Sequence, residues 1–410
     1  MGSLLADRFR AAMAKSKNPK MEEAVADVMY PTGFLPFDFL NGYKVHVQNS
    51  HTGEDYWYTS VGIVDGSSNM FIGRTACGKT TIALQMAANI IRQFPNAVMF
   101  YDDIEGGSND ARREVLTRFT PEEAADRIIY RNSAVTAENF YERIATIYEE
   151  KINNRADYEY DTGLCDSMGN KIYKLIPTIY ILDSLAMLTP DKITEEEELS
   201  GQMSTTATAK TNTQVFKRIV PKLKAANIIL FVINHINDKI EINPFVHSKA
   251  QIGYLKQGET LPGGKAALYL ANNMIRVDDG AKLKATEGLG IEGKIVDFGI
   301  IKSRTNSAGR SVPMIFNRET GFDDILSLFM FMKSNGAIST GSSCYIRGYE
   351  NMKFKQKDFK QKLFTDPEFA EAFNKVAREE LETLLNNSSN YYNIDENQSH
   401  QNIINSILNM

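Results

Sequence analysis

The stretch Gly73-Arg-Thr-Ala-Cys-Gly-Lys-Thr80 fits the phosphate-binding pattern G-x-x-x-x-G-K-[ST]. It follows the apolar residues Met70 to Ile72, which predict a strand, and precedes Thr81 to Ile90, which predict a helix. In such a loop the glycines let successive backbone N–H groups point at phosphate oxygens, and the N-terminus of the helix also favours an anion. The order of strand, loop and helix therefore predicts a nucleoside triphosphate site.

Two side chains at the end of this loop have expected partners, one on the nucleotide and one on its metal ion. Lys79 places a cation near the β- and γ-phosphates, and Thr80 offers its hydroxyl group to Mg²⁺. Cys77 is interpreted as a small filler. The alternative is a chance match in a glycine-containing turn. The predicted nucleotide-binding residues of the loop are Gly73, Arg74, Thr75, Ala76, Cys77, Gly78, Lys79, Thr80 and Thr81.

The composition limits the class of protein. A chain of 410 residues suffices for one large α/β domain with a smaller appendage, or for two domains. The net charge of -5 restricts any nucleic-acid contact to a local patch. Cys77, Cys165 and Cys344 are widely spaced, which suits a reducing cytosol and gives no sign of a zinc site. No long apolar run or signal-like N-terminus is present, so we expect a cytoplasmic protein without membrane contact.

Apolar segments alternate with helical patterns through the middle of the chain. The pattern favours an α/β fold with a mainly parallel central sheet flanked by helices. A β-hairpin is predicted within Tyr43 to Ser67, before the phosphate loop. The strands predicted after the loop are Ala97 to Tyr101, Thr178 to Leu182 and Ile228 to Ile233, and the predicted helices are Ala111 to Phe119, Ala137 to Lys151 and Thr211 to Ala226.

Shorter segments flank this core. Residues 1–30 contain two predicted amphipathic helices, Leu4 to Ala14 and Met21 to Met29, and form a separate N-terminal segment. We expect the core to extend over residues 31–325 and a mostly helical C-terminal lobe to follow over residues 326–385. The Asn-rich residues 386–410 are predicted to be a flexible tail.

Two predicted strands end in carboxylates that suit phosphoryl transfer. The strand that begins at Thr178 ends at Asp183, in the position that holds Mg²⁺ through its water shell. The strand after the phosphate loop ends in three carboxylates, Asp102, Asp103 and Glu105, and we predict that Glu105 orients the attacking water. The register stays open at this point, because Asp102 or Asp103 can take that role or merely cap the following loop.

Further segments follow one another in a characteristic order. They are Thr32-Gly-Phe-Leu-Pro-Phe-Asp38 before the phosphate loop, and Asp183-Ser-Leu-Ala-Met-Leu-Thr-Pro190, Phe231-Val-Ile-Asn-His235, Gly263-Gly264 and Lys302-Ser-Arg-Thr305 after it. In this order they resemble the RecA recombinase family, most closely the UvsX-type recombinases of bacteriophages. The similarity covers about residues 30 to 325 and is weaker at Phe364 to Ala370.

The resemblance implies a RecA-like ATPase core that uses ATP and Mg²⁺. Its D-x-E group maps to Asp103-Ile-Glu105, which makes Glu105 the catalytic carboxylate, and its γ-phosphate sensor maps to His235 after Asn234. Lys302 and Arg304 occupy the positions from which two cations reach the ATP of a neighbouring subunit, the alternative being an exposed basic strand end. Where bacterial relatives carry adenine-contacting Asp and Tyr, this chain has Asn109 and Arg112.

Two polar gaps, Thr189 to Ala209 and Asn237 to Gly264, are the expected DNA-binding loops. The acidic run Glu195 to Glu198 within the first gap departs from a simple DNA-binding surface, because it repels phosphate. The resemblance places DNA contacts at residues that flank the loops, the alternative for the lysines being a solvated helix face. These residues are Lys210, Lys217, Gly263, Gly264 and Lys265.

The expected function is a DNA-dependent ATPase that forms filaments on single-stranded DNA and catalyses homologous pairing and strand exchange. The expected partners are single-stranded DNA, homologous double-stranded DNA, further copies of the chain in a helical filament, and loader and single-strand-binding proteins. Phe9-Arg-Ala-Ala12 matches an F-x-x-A pattern with which relatives contact the adjacent subunit, the alternative being an ordinary apolar helix face. Residues 1–30 are the predicted oligomerisation segment. A RecA-like hexameric helicase and a low-turnover, ATP-gated DNA-binding mediator are the alternatives.

Overall fold

The computed structural model describes residues 28–48, 55–165, 171–191, 201–238, 255–339, 341 and 343–387. The predicted helix Leu4 to Ala14, the F-x-x-A pattern and the acidic run Glu195 to Glu198 lie outside these residues. Of the predicted helix Met21 to Met29, only the last two residues are described. The predicted end of this helix is wrong, because Met29 begins a short strand.

Strands and helices alternate along most of the described chain. The strands are β1 (Met29–Tyr30), β2 (Tyr43–Gln48), β3 (Asp55–Ser60), β4 (Ile63–Val64), β5 (Ser68–Gly73), β6 (Met99–Asp103), β7 (Ile128–Arg131), β8 (Glu159–Cys165), β9 (Lys171–Leu175), β10 (Thr178–Asp183), β11 (Ile228–His235), β12 (Asn237–Asp238), β13 (Glu259–Thr260), β14 (Asn273–Leu283), β15 (Gly293–Ser303), β16 (Arg310–Asn317), β17 (Gly321–Asp323), β18 (Cys344–Ile346), β19 (Tyr349–Phe354) and β20 (Asn386–Asn387). The α-helices are α1 (Leu35–Leu40), α2 (Lys79–Arg92), α3 (Asp110–Thr117), α4 (Pro121–Arg127), α5 (Ala137–Asn153), α6 (Arg155–Tyr158), α7 (Gly201–Ala226), α8 (Lys265–Leu270), α9 (Asp324–Ser334), α10 (Phe359–Thr365) and α11 (Pro367–Glu382).

A nine-stranded sheet with the order β17-β16-β15-β14-β5-β11-β10-β6-β7 forms the centre of the protein. The strands from β14 to β7 in this order are parallel to their neighbours, whereas β15, β16 and β17 pair antiparallel at one edge. The predicted α/β class with a mainly parallel sheet is therefore confirmed. The antiparallel edge was not predicted.

The sheet separates two hydrophobic layers, and the alternation of side chains along each strand supplies both. On β5, Phe71 packs into one layer with Ile82 and Ile90 of helix α2. Met70 and Ile72 point the other way, into a layer that contains helices α5 and α7. Because β5 is buried on both faces, its sequence is continuously apolar over Met70 to Ile72 rather than alternating.

The C-terminal lobe packs on the first of these layers. Helices α9, α10 and α11 enclose an aromatic cluster in which Phe329 lies 4.6 Å from Phe359, and Phe354 lies 5.1 Å from Phe369, between ring centroids. Strand Cys344–Ile346 pairs antiparallel with strand Tyr349–Phe354 before helix α10 begins. The lobe is mostly helical, as the sequence analysis expected, but the analysis did not predict this hairpin.

Several predicted boundaries change in the structure. The hairpin within Tyr43 to Ser67 is confirmed by the antiparallel pairing of β2 with β3. The first predicted DNA loop is too long by nine residues, because helix α7 begins at Gly201 rather than after Ala209. The predicted tail is also wrong at its start, since Asn386–Asn387 pairs with β2 as a parallel strand. In both places backbone pairing or helix extension overrides the polar composition on which the predictions rested.

Candidate nucleotide-hydrolysis site

The phosphate loop connects β5 to helix α2 at the carboxyl end of the parallel strands. Strand β5 ends at Gly73, and helix α2 begins at Lys79 with Gly78 as its N-cap. Gly78 has a φ of 103°, a left-handed conformation that only glycine adopts without strain. No side-chain hydrogen bond caps the N-terminus of α2 in the described structure, so its first N–H groups suit an anion.

The ammonium group of Lys79 is held inside this loop. Its Nζ donates hydrogen bonds to the carbonyl oxygens of Gly73 at 3.0 Å and Arg74 at 2.7 Å, and the side chain is buried. These bonds fix the cation between the two ends of the loop. It is therefore positioned to meet phosphate oxygens held by the same loop.

The Thr80 hydroxyl group donates a hydrogen bond of 2.7 Å to Oδ2 of Asp183, at the end of β10. Burial raises the pKa of Asp183 to about 6, and the neighbouring carboxylates of Glu105 and Asp103 act in the same direction, while Thr80 and Lys79 oppose them. The phosphate loop and the acidic strand end, which are 103 residues apart, thus meet directly.

Glu105 accepts hydrogen bonds from two side chains on one oxygen. The Ser184 hydroxyl group donates to Oε1 at 2.6 Å, and Nε2 of His235 lies 2.9 Å from the same atom. Burial raises the pKa of Glu105, but the hydrogen bonds from Ser184 and His235 outweigh it, so that the pKa is lowered overall. The carboxylate is held ionised and oriented beside Asp183, whose peptide bond to Ser184 is cis.

The two other acidic residues of this strand end have structural partners. Asp103 accepts backbone hydrogen bonds from Gly106 at 2.9 Å and Ser108 at 2.9 Å, and so caps the following loop. Asp102 faces the opposite side of the sheet, where it is buried and contacts Arg143 and Tyr180. Of the three carboxylates, Glu105 is the one that the structure places with Ser184 and His235.

The remaining loop residues are held by charged side chains from outside the loop. Arg74 makes a bidentate pair with Asp238 at 2.7 and 2.8 Å. Lys294 donates to the carbonyl oxygen of Ala76 at 2.7 Å. The side chains of Arg74, Thr75 and Ala76 are exposed, Cys77 is buried, and Thr81 is half-buried at the start of α2.

Asn109 and Arg112 lie at the start of helix α3, beyond the Asp103 loop. The Asn109 side chain caps this helix by accepting from the backbone N–H of Arg112 at 2.8 Å. The Arg112 guanidinium donates to the carbonyl oxygen of Glu319. Both residues therefore have structural partners within the chain, and their contact with a nucleotide base stays a prediction.

Lys302 and Arg304 differ sharply in exposure. Lys302 is buried, and its Nζ donates to the carbonyl oxygens of Leu268, Tyr269 and Ala271 at 2.7 to 2.8 Å. Burial and the nearby Arg304 lower the pKa of Lys302 to about 8. Arg304 is exposed and donates to the same Tyr269 carbonyl at 2.7 Å. Within one chain, Lys302 caps the C-terminal end of helix α8, and Arg304 is the more accessible of the two cations.

The predicted DNA contacts fall on two elements that pack together. Lys210 and Lys217 are exposed on helix α7. Gly263 precedes helix α8 with a φ of 86°, and a Cβ at this position would lie 2.6 Å from Cγ of Leu185. Gly264 packs against α7 in the same way, because a Cβ there would lie 3.2 Å from Cα of Ala209. Close packing therefore explains why glycine occupies both positions. Lys265 begins helix α8, but its side chain lies outside the described residues.

The oxygen ligands at the site fit Mg²⁺. The Thr80 hydroxyl and the Asp183 carboxylate are hard donors, of the kind that hold this ion together with waters and substrate phosphates. Within the described residues, no group of three or more His, Cys, Asp or Glu side chains is arranged to hold a metal by itself.

Sequence reasoning missed three contributors to this site. Ser184 is adjacent to Asp183, so its position at a strand end was a usable signal. Lys294 and Asp238 are far from the loop along the chain and no local pattern marks them.

The comparisons with known proteins add no identification. No protein-family model matches the chain, and no curated protein matches it. The described residues include no helix with the length and apolar character needed to cross a membrane.

Proposed function

We propose that this protein is a DNA-dependent ATPase that forms filaments on single-stranded DNA and catalyses homologous pairing and strand exchange in recombination, repair and recombination-dependent replication. The observation that carries the hydrolytic part is the convergence of Lys79, Thr80, Asp183 and Glu105 at the carboxyl end of the parallel strands. The DNA-pairing part is supported by the order of motifs along the chain.

Each of these groups has a defined task in the proposed hydrolysis. The loop amides and Lys79 bind the phosphates. Thr80 and Asp183 would hold Mg²⁺, which when bound would neutralise part of the phosphate charge. Glu105 orients the attacking water and accepts its proton, and its depressed pKa keeps it ionised for this purpose. Ser184 and His235 position that carboxylate from two directions.

His235 also connects the nucleotide to the predicted second DNA loop. It ends β11, and the adjacent Asn234 donates to the carbonyl oxygen of Pro262 at 3.0 Å. A movement of His235 in response to the γ-phosphate would therefore also displace the segment before Gly263 and Gly264. This contiguity supports a protein in which ATP and DNA influence each other's binding.

Hydrolysis in this proposal requires a neighbouring subunit. Phosphoryl transfer spreads negative charge over several oxygens, and Lys79 alone neutralises only part of it. Arg304 is exposed and suits the role of the cation supplied by the next subunit in a filament. Residues 1–30 are the proposed oligomerisation segment, and deletion of residues 1–29 should yield monomers.

A joint-molecule assay tests the proposal directly. The purified protein is incubated with ATP, Mg²⁺, a single-stranded oligonucleotide and a homologous duplex, with a heterologous duplex as control. We expect joints only with the homologous duplex. The variant Glu105→Gln removes the carboxylate but keeps its size, and should bind ATP and DNA without sustained turnover.

Other outcomes separate the alternatives. DNA-stimulated hydrolysis without joints, together with closed rings in negative-stain images, would indicate a hexameric helicase. DNA binding that depends on ATP but produces little turnover would indicate a mediator. The absence of joints in the presence of a matched loader protein would overturn the recombinase proposal.

A further inference from the structure

The phosphate loop is held from outside by a lysine of the antiparallel edge of the sheet. Lys294 is the second residue of strand β15, and its Nζ donates a hydrogen bond of 2.7 Å to the carbonyl oxygen of Ala76. The two residues are 218 positions apart along the chain. Lys294 therefore connects the middle of the loop to the β14–β15 hairpin.

The ammonium group of Lys294 is fixed by a second contact. Its side chain is 17% exposed and pairs with Asp279 at 2.6 Å. An ammonium group has three donors, so it holds the Ala76 carbonyl and the Asp279 carboxylate at the same time. Water screens a mostly buried cation only weakly. The contact therefore contributes more than the pair of Arg74 with Asp238, whose side chains are 61% and 62% exposed.

The backbone conformation of Ala76 requires support from its surroundings. Its φ is 63°, a left-handed conformation that a residue with a Cβ rarely adopts unless neighbouring groups hold it there. The Ala76 side chain is exposed, so packing of its methyl group does not supply that support. The hydrogen bond from Lys294 to the carbonyl oxygen supplies it instead.

The same hydrogen bond sets the direction of a neighbouring donor. The peptide bond between Ala76 and Cys77 is trans, since the cis peptide among the described residues is that of Asp183 with Ser184. In a planar trans peptide the C=O and N–H groups point in opposite directions. Because the Ala76 carbonyl is held toward Lys294, the N–H of Cys77 points away from the β14–β15 hairpin. Phosphate loops bind phosphate oxygens through backbone N–H groups oriented in this way.

We propose that Lys294 is a positioning residue for nucleotide binding, which fixes the Ala76–Cys77 peptide so that the N–H of Cys77 meets a phosphate oxygen of ATP. The inference rests on the proposed function in one respect, namely that the loop binds ATP. It gives Lys294 no direct contact with the nucleotide and no part in the chemical step. Removal of the ammonium group should therefore weaken ATP binding and loosen the loop together, with little effect on turnover at saturating ATP.

The variant Lys294→Met tests the effect on ATP binding, because methionine keeps an extended apolar side chain but has no donor. A hydrogen bond from a charged group changes an equilibrium constant by about ten- to a hundredfold. Water can reach the exposed Ala76 in the variant, so we expect the lower end, a rise of about tenfold in the Kd for ATP in calorimetric titration. The KM for ATP should rise by a similar factor, while kcat should stay within about twofold, because the lost interaction stabilises bound substrate and transition state equally.

A second readout requires no nucleotide. Cys77 is 1% exposed, so its thiol reacts with a maleimide only when the loop opens. Mass spectrometry of the peptide that contains Cys77 measures the labelling rate. This rate should rise by about tenfold in Lys294→Met, because labelling follows the population of the open loop. Cys344 is buried in the C-terminal lobe and is the internal control, since its labelling rate rises only if the whole protein opens.

Three control variants separate this contact from other effects. Lys294→Arg keeps a cationic donor and should restore both the ATP affinity and the slow labelling. Lys282→Met removes the same charge from the exposed position opposite Lys294 on strand β14, and should change neither readout. Asp279→Asn removes the acidic partner but leaves the contact with Ala76, and should change the Kd by less than about twofold. Thermal melting of each variant checks that it is folded.

The outcomes distinguish a failure of this inference from a failure of the proposed function. If the wild type binds no ATP, the proposed function fails together with the nucleotide part of the inference, while Cys77 labelling still shows whether Lys294 holds the loop. If the wild type binds ATP, unchanged labelling in Lys294→Met would overturn the inference alone. A loss of ATP affinity without faster labelling would do so because Lys294 would then contact the phosphates directly. Equal losses in Lys282→Met would do so because general charge attraction would then explain the result.

Discussion

Replacing Ser184 with alanine should displace the acid limb of the pH–rate profile toward higher pH. Ser184 is buried and donates a hydrogen bond of 2.6 Å to Oε1 of Glu105. This bond favours the ionised carboxylate, while burial favours the protonated form. Without the donor, desolvation is opposed only by His235 and more distant charges, so that Glu105 is protonated at a higher pH than in the wild type.

The size of the displacement follows from the exposure of the carboxylate. A hydrogen bond to a charged group contributes about 1.5 to 3 kcal/mol when buried. The Glu105 side chain is 40% exposed, and water screens part of that energy. A remaining contribution of about 1 kcal/mol corresponds to an acid limb displaced by about 0.7 pH unit. Turnover near neutral pH should change less than turnover below the limb.

The assay is single-turnover hydrolysis of Mg²⁺-ATP with saturating single-stranded DNA over a range of pH. Ser334→Ala is a matched control, because Ser334 is exposed and donates only to the Met330 carbonyl oxygen of its own helix. The control profile should coincide with that of the wild type. An acid limb that stays in place in Ser184→Ala, with turnover lowered equally at every pH, would refute the proposed action of Ser184 on Glu105.

Four further changes test other parts of the structure. Burial raises the pKa of Asp183 to about 6, so Mg²⁺-dependent ATP binding should weaken as the pH falls through 6. Asp183→Asn should remove the Mg²⁺ dependence at every pH. Calorimetric titration with ATP measures both effects. Combined Lys302→Ala and Arg304→Ala should abolish hydrolysis with ATP binding nearly intact, and full turnover in the double variant would remove their role at a neighbour's ATP. Singly, Lys302→Ala should also lower the free energy of unfolding by about 2 kcal/mol, because the carbonyl oxygens of Leu268 and Ala271 lose this donor, while that of Tyr269 still accepts from Arg304. Arg304→Ala alone should not lower it. Gly263→Ala should cost about 1 to 3 kcal/mol in urea unfolding, since its backbone has a φ of 86° and the new Cβ meets Leu185; an unchanged midpoint would contradict this packing. Burial lowers the pKa of Lys151 from 10.5 to about 7, so between these pH values the folded protein binds fewer protons than the unfolded chain. The free energy of unfolding should therefore rise with pH across that window in the wild type. In Lys151→Met it should rise less steeply.

The local parts of the site were predictable because they depend on short stretches of chain. The phosphate loop needs a glycine with a positive φ at position 78 and a lysine and a threonine directly after it, and all three are fixed by spacing. The strand that ends at Asp183 was visible as a continuous apolar run, which is what burial on both faces of a parallel strand requires. These features determined the α/β class and predicted the nucleotide site before any tertiary contact was known.

The choice among Asp102, Asp103 and Glu105 needed the three-dimensional arrangement. Neighbouring strand residues point to opposite faces of a sheet, so Asp102 and Asp103 are adjacent in sequence but their carboxylates lie on opposite faces of the sheet. Only the tertiary structure shows which face carries the phosphate loop.

The sequence by itself determined the fold class and the spacing of the phosphate-loop residues, and it marked Asp183 as a carboxylate at a strand end. Only the tertiary structure decided that Ser184 and His235 meet on one oxygen of Glu105, and that Lys302 is buried while Arg304 is exposed. The reason is physical. Backbone conformation and hydrophobic periodicity are properties of neighbouring residues. Hydrogen-bond partners, burial and the resulting pKa shifts depend on groups that are distant along the chain, as with His235 and Glu105, which are 130 residues apart.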